Sequence, residues 1–99
     1  MYGTIARIHP RVDRIDELRA LMERYESGGR TPAGFRQSFI FRPDENPYDR
    51  PTLFLIALFD DRETYVANAE SPEQDADYRQ MRELLEDDPD WMDGTFEGA

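Results

Sequence analysis

The spacing of apolar residues along the chain changes period from segment to segment, and each change outlines an element. "YGTIARIH" (2–9) is a short run carrying Ile5 and Ile8 that ends at Pro10, the pattern of a first strand. "VDRIDELRALMERYES" then sets Val12, Ile15, Leu18, Leu21, Met22 and Tyr25 at helical spacing, one apolar stripe along a helix. Asp13, Asp16 and Glu17 lie near its start, where negative charge suits the helix dipole, and Gly28 with Gly29 ends it.

The next segment, "RTPAGFRQSFIFRP", reads as a turn at Pro32-Ala33-Gly34 followed by a second strand. Alternation sends Phe35, Phe39 and Phe41 one way with Gln37, and Arg36, Ser38, Ile40 and Arg42 the other. "PDENPYDRP" (43–51) holds three prolines and is a loop. "TLFLIALFDD" (52–61) supplies a third strand that does not alternate: Leu53 to Phe59 are all apolar. Asp60 or Asp61 caps a short helix, "DRETYVANAE". At "SPEQ" (71–74), Ser71 as N-cap, Pro72 at the first helical position and Gln74 three residues after the cap start another. That helix places Tyr78, Met81, Leu84 and Leu85 on one side and stops before Pro89. "WMDGTFEG" closes the chain as a last short strand.

The order is β-α-β-β-α-β in one domain spanning residues 1–99, an α+β, ferredoxin-like plan whose antiparallel sheet carries helices on one face. The first and third strands are then central. A half-solvated strand alternates apolar and polar residues, so the apolar run needs cover on both sides. Leu53, Leu55, Ala57 and Phe59 face one side; Phe54, Ile56 and Leu58 face the other, for which the chain has no helix of its own. An apolar patch of that kind marks an interface, and a second copy packed face to face covers it, giving a homodimer. Burial of each large side chain there contributes roughly 1.5–3 kcal/mol.

Composition narrows the partners. The formal net charge is −10, with 8 acids against 9 arginines up to position 59 and 14 against 3 beyond it. An anionic C-terminal half repels phosphate backbones and anionic lipid surfaces, so neither nucleic acid nor membrane is expected as a partner. Aromatics in "FRQSFIF" superficially fit an RNA-binding sheet of the same topology, but the charge opposes it. No cysteine is present, which excludes thiolate chemistry and suits a reducing compartment. The start "MYGTIARIHP" lacks a basic region followed by a long apolar one, and seven residues are too few to span a bilayer. A cytoplasmic location is the expectation.

The element order, "TPAGF" leading into strand two, and "FDDRETYVANAESPEQ" after strand three resemble the antibiotic-biosynthesis monooxygenase domain family over nearly the whole chain. The resemblance implies a dimeric α+β barrel with a pocket in each subunit between sheet and helices. Members include cofactor-free oxygenases of polycyclic phenols, haem-degrading monooxygenases and many proteins without an assigned reaction. The haem-degrading pattern, an Asn on the first strand with a Trp and a His on the second helical region, is not met. "YGTIARIH" has no Asn, "RETYVANAESPEQ" has no Trp, the helical His position holds Asn68, and position 74 is Gln. No cofactor is therefore expected.

Asn68 stands where the family places a pocket residue able to hydrogen-bond a substrate oxygen; the plainer alternative is a polar helix end. Tyr65 and Tyr78 can donate phenolic hydrogen bonds to an aromatic ligand or pack as amphipathic core. Trp91 can stack on a planar ligand or anchor the last strand or the dimer. His9 is a base candidate near neutral pH, set against a surface position beside Pro10. Arg7 alternates with Ile5 and His9, facing the sheet surface toward an acid or an anionic substrate. Phe39 is a ligand-wall candidate. Spacing offers no metal site and no catalytic pair.

Two classes of function stay open. One is a cofactor-independent oxygenase of a phenolic or quinol substrate, with Asn68, Tyr65 and Trp91 as catalytic candidates and Tyr78, Arg7, His9 and Phe39 lining the ligand. The other is a non-catalytic dimeric module for a small ligand or a partner enzyme, its pocket closed by Phe39, Phe41 and Tyr65. An open, partly polar pocket of several hundred Å³ favours the first.

Overall fold

A computed structural model describes residues 1–26 and 31–98, apart from the side chains of residues 24–26. The expected stop at Gly28-Gly29 and the side chain of Tyr25 lie outside the described residues. Strands β1 (Tyr2–Ile8), β2 (Phe35–Phe41), β3 (Leu53–Phe59) and β4 (Asp90–Thr95) form one antiparallel sheet in the order β2-β3-β1-β4. Helix α1 (Ile15–Glu26) joins β1 to β2, and α2 (Arg62–Ala69) with α3 (Pro72–Arg82) joins β3 to β4. This is the ferredoxin-like α+β plan, with β1 and β3 central and the second crossover split in two. Among the described residues no helix is long and apolar enough to cross a membrane.

Local chemistry sets each boundary. Asp61 caps α2 by accepting from Thr64 N at 2.9 Å. Ser71 caps α3 by accepting from Gln74 N at 3.1 Å, and Pro72 follows in the first turn, where a missing N–H costs nothing. Gly34 has φ +78°, and a Cβ there would run into the side chain of Thr64. Only glycine fits the turn into β2 without strain.

The helix-covered face carries the core: Ala6, Ile8, Leu18, Leu53, Leu55, Met81, Leu84 and Leu85 are buried together. On the opposite face β-sheet register aligns Phe39, Ile56, Ile5 and Met92 in one row across all four strands. Phe39, Phe41 and Met92 there are 45%, 53% and 66% exposed.

Several expectations are corrected. Val12 is not part of the helical stripe; it sits in a 3₁₀ turn, Val12–Arg14, and faces solvent. Phe35 does not share a face with Phe39 and Phe41. A bulge between Phe35 and Gln37 absorbs one residue, so Phe35 packs edge-on against Phe59 at 5.6 Å on the helix side. Leu84 and Leu85 lie beyond the end of α3, and Leu85 is buried by bridging to Pro10. Leu58, at 9% exposure, is already sheltered by its own chain, whereas Phe54 and Ile56 on the same face remain half-buried.

Candidate functional site

One cross-strand row on the helix side is built from small residues. Ser38, Ala57 and Thr4 are register partners across β2, β3 and β1, and Asp93 of β4 continues the row. Above them α2 buries none of its residues and α3 buries only Met81. Short side chains below and helices standing off above leave a cavity of about 640 Å³. Its apolar walls include Leu55, Phe59 and Met81 with Leu21 and Met22 of α1. Its polar groups include Thr4, Ser38, Tyr65, Asn68, Gln74 and Tyr78.

The N-cap at Asp61 fixes where α2 begins. Hydrogen bonds from the Thr64 N–H and hydroxyl hold the Asp61 carboxyl below the usual carboxylate range. Tyr65 and Asn68 follow, three residues apart and so on one side of the helix. The Tyr65 ring meets Phe59 edge-on at 5.6 Å and Tyr2 at 5.4 Å. Its hydroxyl donates to Asp93 Oδ1 at 2.8 Å. Burial first, and then the bond to the Asp93 carboxylate, push the Tyr65 phenol up to about 12. It is therefore a neutral phenol at physiological pH, and its one hydrogen is directed to Asp93.

Asn68 lies in the last turn of α2, where the chain bends into α3. Its carbonyl accepts from the Ser71 hydroxyl at 2.7 Å, and its amide Nδ2 donates to Gln74 Oε1 at 3.2 Å. The same Ser71 that starts α3 thus ties together the backbones of Asn68 and Gln74, whose amide side chains meet at the cavity wall. At the far side Tyr78 and Trp91 approach with ring centroids 6.2 Å apart, and the exposed Trp91 forms part of the rim.

Of the residues singled out from the sequence, Asn68, Tyr65, Tyr78 and Trp91 come together around this cavity. Arg7, His9 and Phe39 are elsewhere. Phe39 belongs to the helix-free face. Arg7 shares that face, donating to Asp90 Oδ2 at 2.9 Å and to the Tyr48 hydroxyl at 3.2 Å, with its guanidinium 5.0 Å from the Tyr48 ring centre. His9 is buried rather than superficial, at 7% exposure, with Nδ1 3.0 Å from Thr52 Oγ1 and 3.3 Å from the Pro51 carbonyl. Arg7 and His9 both contact Tyr48 and so tie the proline-rich loop 43–51 to the sheet. Thr4, Ser38 and Asp93 were not singled out. Alternation along each strand places them on the helix side, but only the register shows that they form one row. Among the described residues no group of His, Asp or Glu is arranged to hold a metal ion.

No family model matches the sequence, and no curated protein matches it significantly. Solved structures do. Rv0793 from Mycobacterium tuberculosis superposes with a TM-score of 0.74 at 23% identity, covering 99% of this chain and 96% of that one. SnoaB, a cofactor-independent oxygenase from Streptomyces nogalater, gives 0.71 at 13% identity over 99% and 94% of the two chains. A candidate antibiotic-biosynthesis monooxygenase from Deinococcus radiodurans gives 0.74 at 11% identity over 100% and 95%. At such identities the likeness establishes the fold, which is the one shared by antibiotic-biosynthesis monooxygenase-like proteins.

Proposed function

We propose that the chain is a homodimeric, cofactor-independent oxygenase of small phenolic or quinol compounds, working in the cavity between sheet and helices. The observation that carries this reading is the cavity itself. It is open, several hundred Å³ in volume and partly polar, with Asn68, Tyr65, Tyr78 and Trp91 around it. A closed core of packed aromatics would have favoured the non-catalytic module. The shared fold with SnoaB, a cofactor-independent oxygenase, points the same way.

In such a reaction the substrate supplies the electrons. For an anthrone, one oxygen atom of O₂ becomes the new carbonyl oxygen. The other leaves as water with the two hydrogens of the oxidised methylene, a balanced four-electron exchange. The protein's part is to hold the ring between Trp91 and the apolar wall, to keep it dry, and to direct the Asn68 amide at the oxygen where negative charge grows. Phe39, Phe41 and Met92, exposed in the single chain, are assigned to the dimer interface.

Oxygen uptake and absorbance with an anthrone, a naphthoquinol and haem test the reading. Turnover of the anthrone or the naphthoquinol is expected, and Asn68→Ala should lower its rate by about 10²-fold, the scale of a lost oxyanion donor. Trp91→Phe should raise KM more than it lowers kcat. Binding without oxygen uptake would assign the non-catalytic module instead, and no binding at all would remove the cavity from consideration.

A further inference from the structure

We infer that a ligand in this cavity gives the hydrogen of a hydroxyl group to Tyr65 Oη, and that Asp93, from outside the cavity, imposes that direction. On the oxygenase reading, on which this rests, the substrate is then a compound whose phenolic O–H is free rather than alkylated. The Tyr65 ring stands edge-on to Phe59 of the cavity wall at 5.6 Å, and its hydroxyl reaches across to β4. There Thr4 of β1 and Asp93 of β4 are register partners. Thr4 is buried and lines the cavity, whereas Asp93 is exposed and does not. The Tyr65 oxygen lies between the two, with hydrogen-bond contact to the Thr4 hydroxyl and to the Asp93 carboxylate.

A phenol oxygen has one hydrogen to give and lone pairs to offer. Tyr65 gives its hydrogen to Asp93 Oδ1 at 2.8 Å. A carboxylate only accepts, so the direction of this bond is fixed. Burial and the same bond keep the hydrogen on Tyr65 up to about 12. What remains for a ligand is a lone pair. The Thr4 hydroxyl, the oxygen's other neighbour, has the Met92 carbonyl to donate to at 3.3 Å, which leaves that lone pair open to an incoming hydrogen. Donation to a carboxylate also polarises the phenol and makes its oxygen a stronger acceptor. A ligand O–H gains this bond. The methyl ether of the same ring brings no hydrogen and covers the Tyr65 oxygen without matching it. A ketone sets lone pair against lone pair.

Equilibrium dialysis of the intact protein near neutral pH against naphthol, its methyl ether methoxynaphthalene and the ketone tetralone tests this. The wild type should hold naphthol at least about threefold more tightly than methoxynaphthalene, the scale of one net hydrogen bond. Tyr65→Phe should bind both and erase most of that preference, which a mere clash with the methyl group would leave intact. Asp93→Ala, at an exposed position, frees the Tyr65 hydrogen, so tetralone should bind about threefold or more tightly to it than to the wild type. A purely structural role for Asp93 would give no such gain. Equal wild-type affinity for naphthol and methoxynaphthalene overturns the inference while leaving an aromatic site in place. So does a Tyr65→Phe variant that keeps the full preference, or an Asp93→Ala variant that holds tetralone no more tightly. The expected preferences in a protein that oxidises neither anthrone nor naphthoquinol would uphold the Tyr65 bond and remove catalysis alone. If none of the three ligands binds, the aromatic-ligand reading of the cavity fails first and takes this inference with it.

Discussion

Strand β3 presents Leu53, Leu55, Ala57 and Phe59 to the helices and Phe54, Ile56 and Leu58 to the other side, so a single strand is apolar on both faces. The helix side is closed near Ile8, Leu53 and Leu85 and left hollow over Thr4, Ala57 and Ser38. On the opposite side no helix of the described residues lies over the sheet, and Phe39, Phe41 and Met92 stand exposed in the single chain. The difference lies in what each surface lacks. The first lacks volume, because small side chains face short helices that bury almost nothing, and volume is what a small ligand can supply. The second lacks a layer, and only something as wide as the sheet can supply that.

The largest effect follows from the missing layer. Phe39 sits at one end of the row with Ile56, Ile5 and Met92, and a two-fold dimer buries it twice. At about 1.5–3 kcal/mol for each buried phenylalanine, Phe39→Asp should weaken association at least a hundredfold. Sedimentation at micromolar concentration should show a dimer for the wild type and a folded monomer for the variant. A wild type that sediments as a single chain would remove the second copy as the cover.

Next in size is the covered face. Ile8 is fully buried between β3 and the Leu85 segment, and Ile8→Ala removes packing that nothing can refill. A loss of about 2–5 kcal/mol is expected from denaturant unfolding. Phe41→Ala, measured under conditions where the chain is monomeric, should cost less than about 0.5 kcal/mol. Equal losses at the two positions would mean that the faces are not distinguished as described.

How much of this was legible varies with the range of the interaction that decides it. The start of α3 is written in four consecutive residues, Ser71 to Gln74, and the apolar run of β3 needs no partner to be recognised. Tyr65 and Asn68 share a helix side by spacing alone. Phe35 was misassigned because a bulge shifts the register by one residue, and nothing local distinguishes that from continued alternation. His9 and Leu85 are buried by each other's neighbourhoods: Glu86 N donates to the His9 carbonyl across 77 positions of sequence, which no window of pattern reading spans. The row Ser38-Ala57-Thr4-Asp93 belongs to the same class. Each residue is unremarkable where it stands; register alone brings Ser38, Ala57 and Thr4 together under the cavity and sets Asp93 beside them, where it accepts from Tyr65.

The smallest effect is carried by Tyr65, and it probes the hollow part of the covered face. An ordinary phenol releases its proton near 10, whereas burial and the bond to Asp93 hold the Tyr65 proton to about 12. Between those values the unfolded chain has released a proton that the folded chain keeps. The stability tied to protonated Tyr65 is thus complete below about 10 and is lost as pH rises toward 12. Tyr65→Phe should remove that part of the alkaline slope, and in a phenolate absorbance titration the wild-type-minus-variant difference should centre at about 12 rather than near 10. Asp93→Asn should bring that centre down, because an amide oxygen holds a phenolic hydrogen less firmly than a carboxylate does. A difference curve centred near 10 in the wild type would show that the Tyr65 hydrogen is not held by Asp93 in solution. The phenol would then be available to donate to a ligand in the cavity.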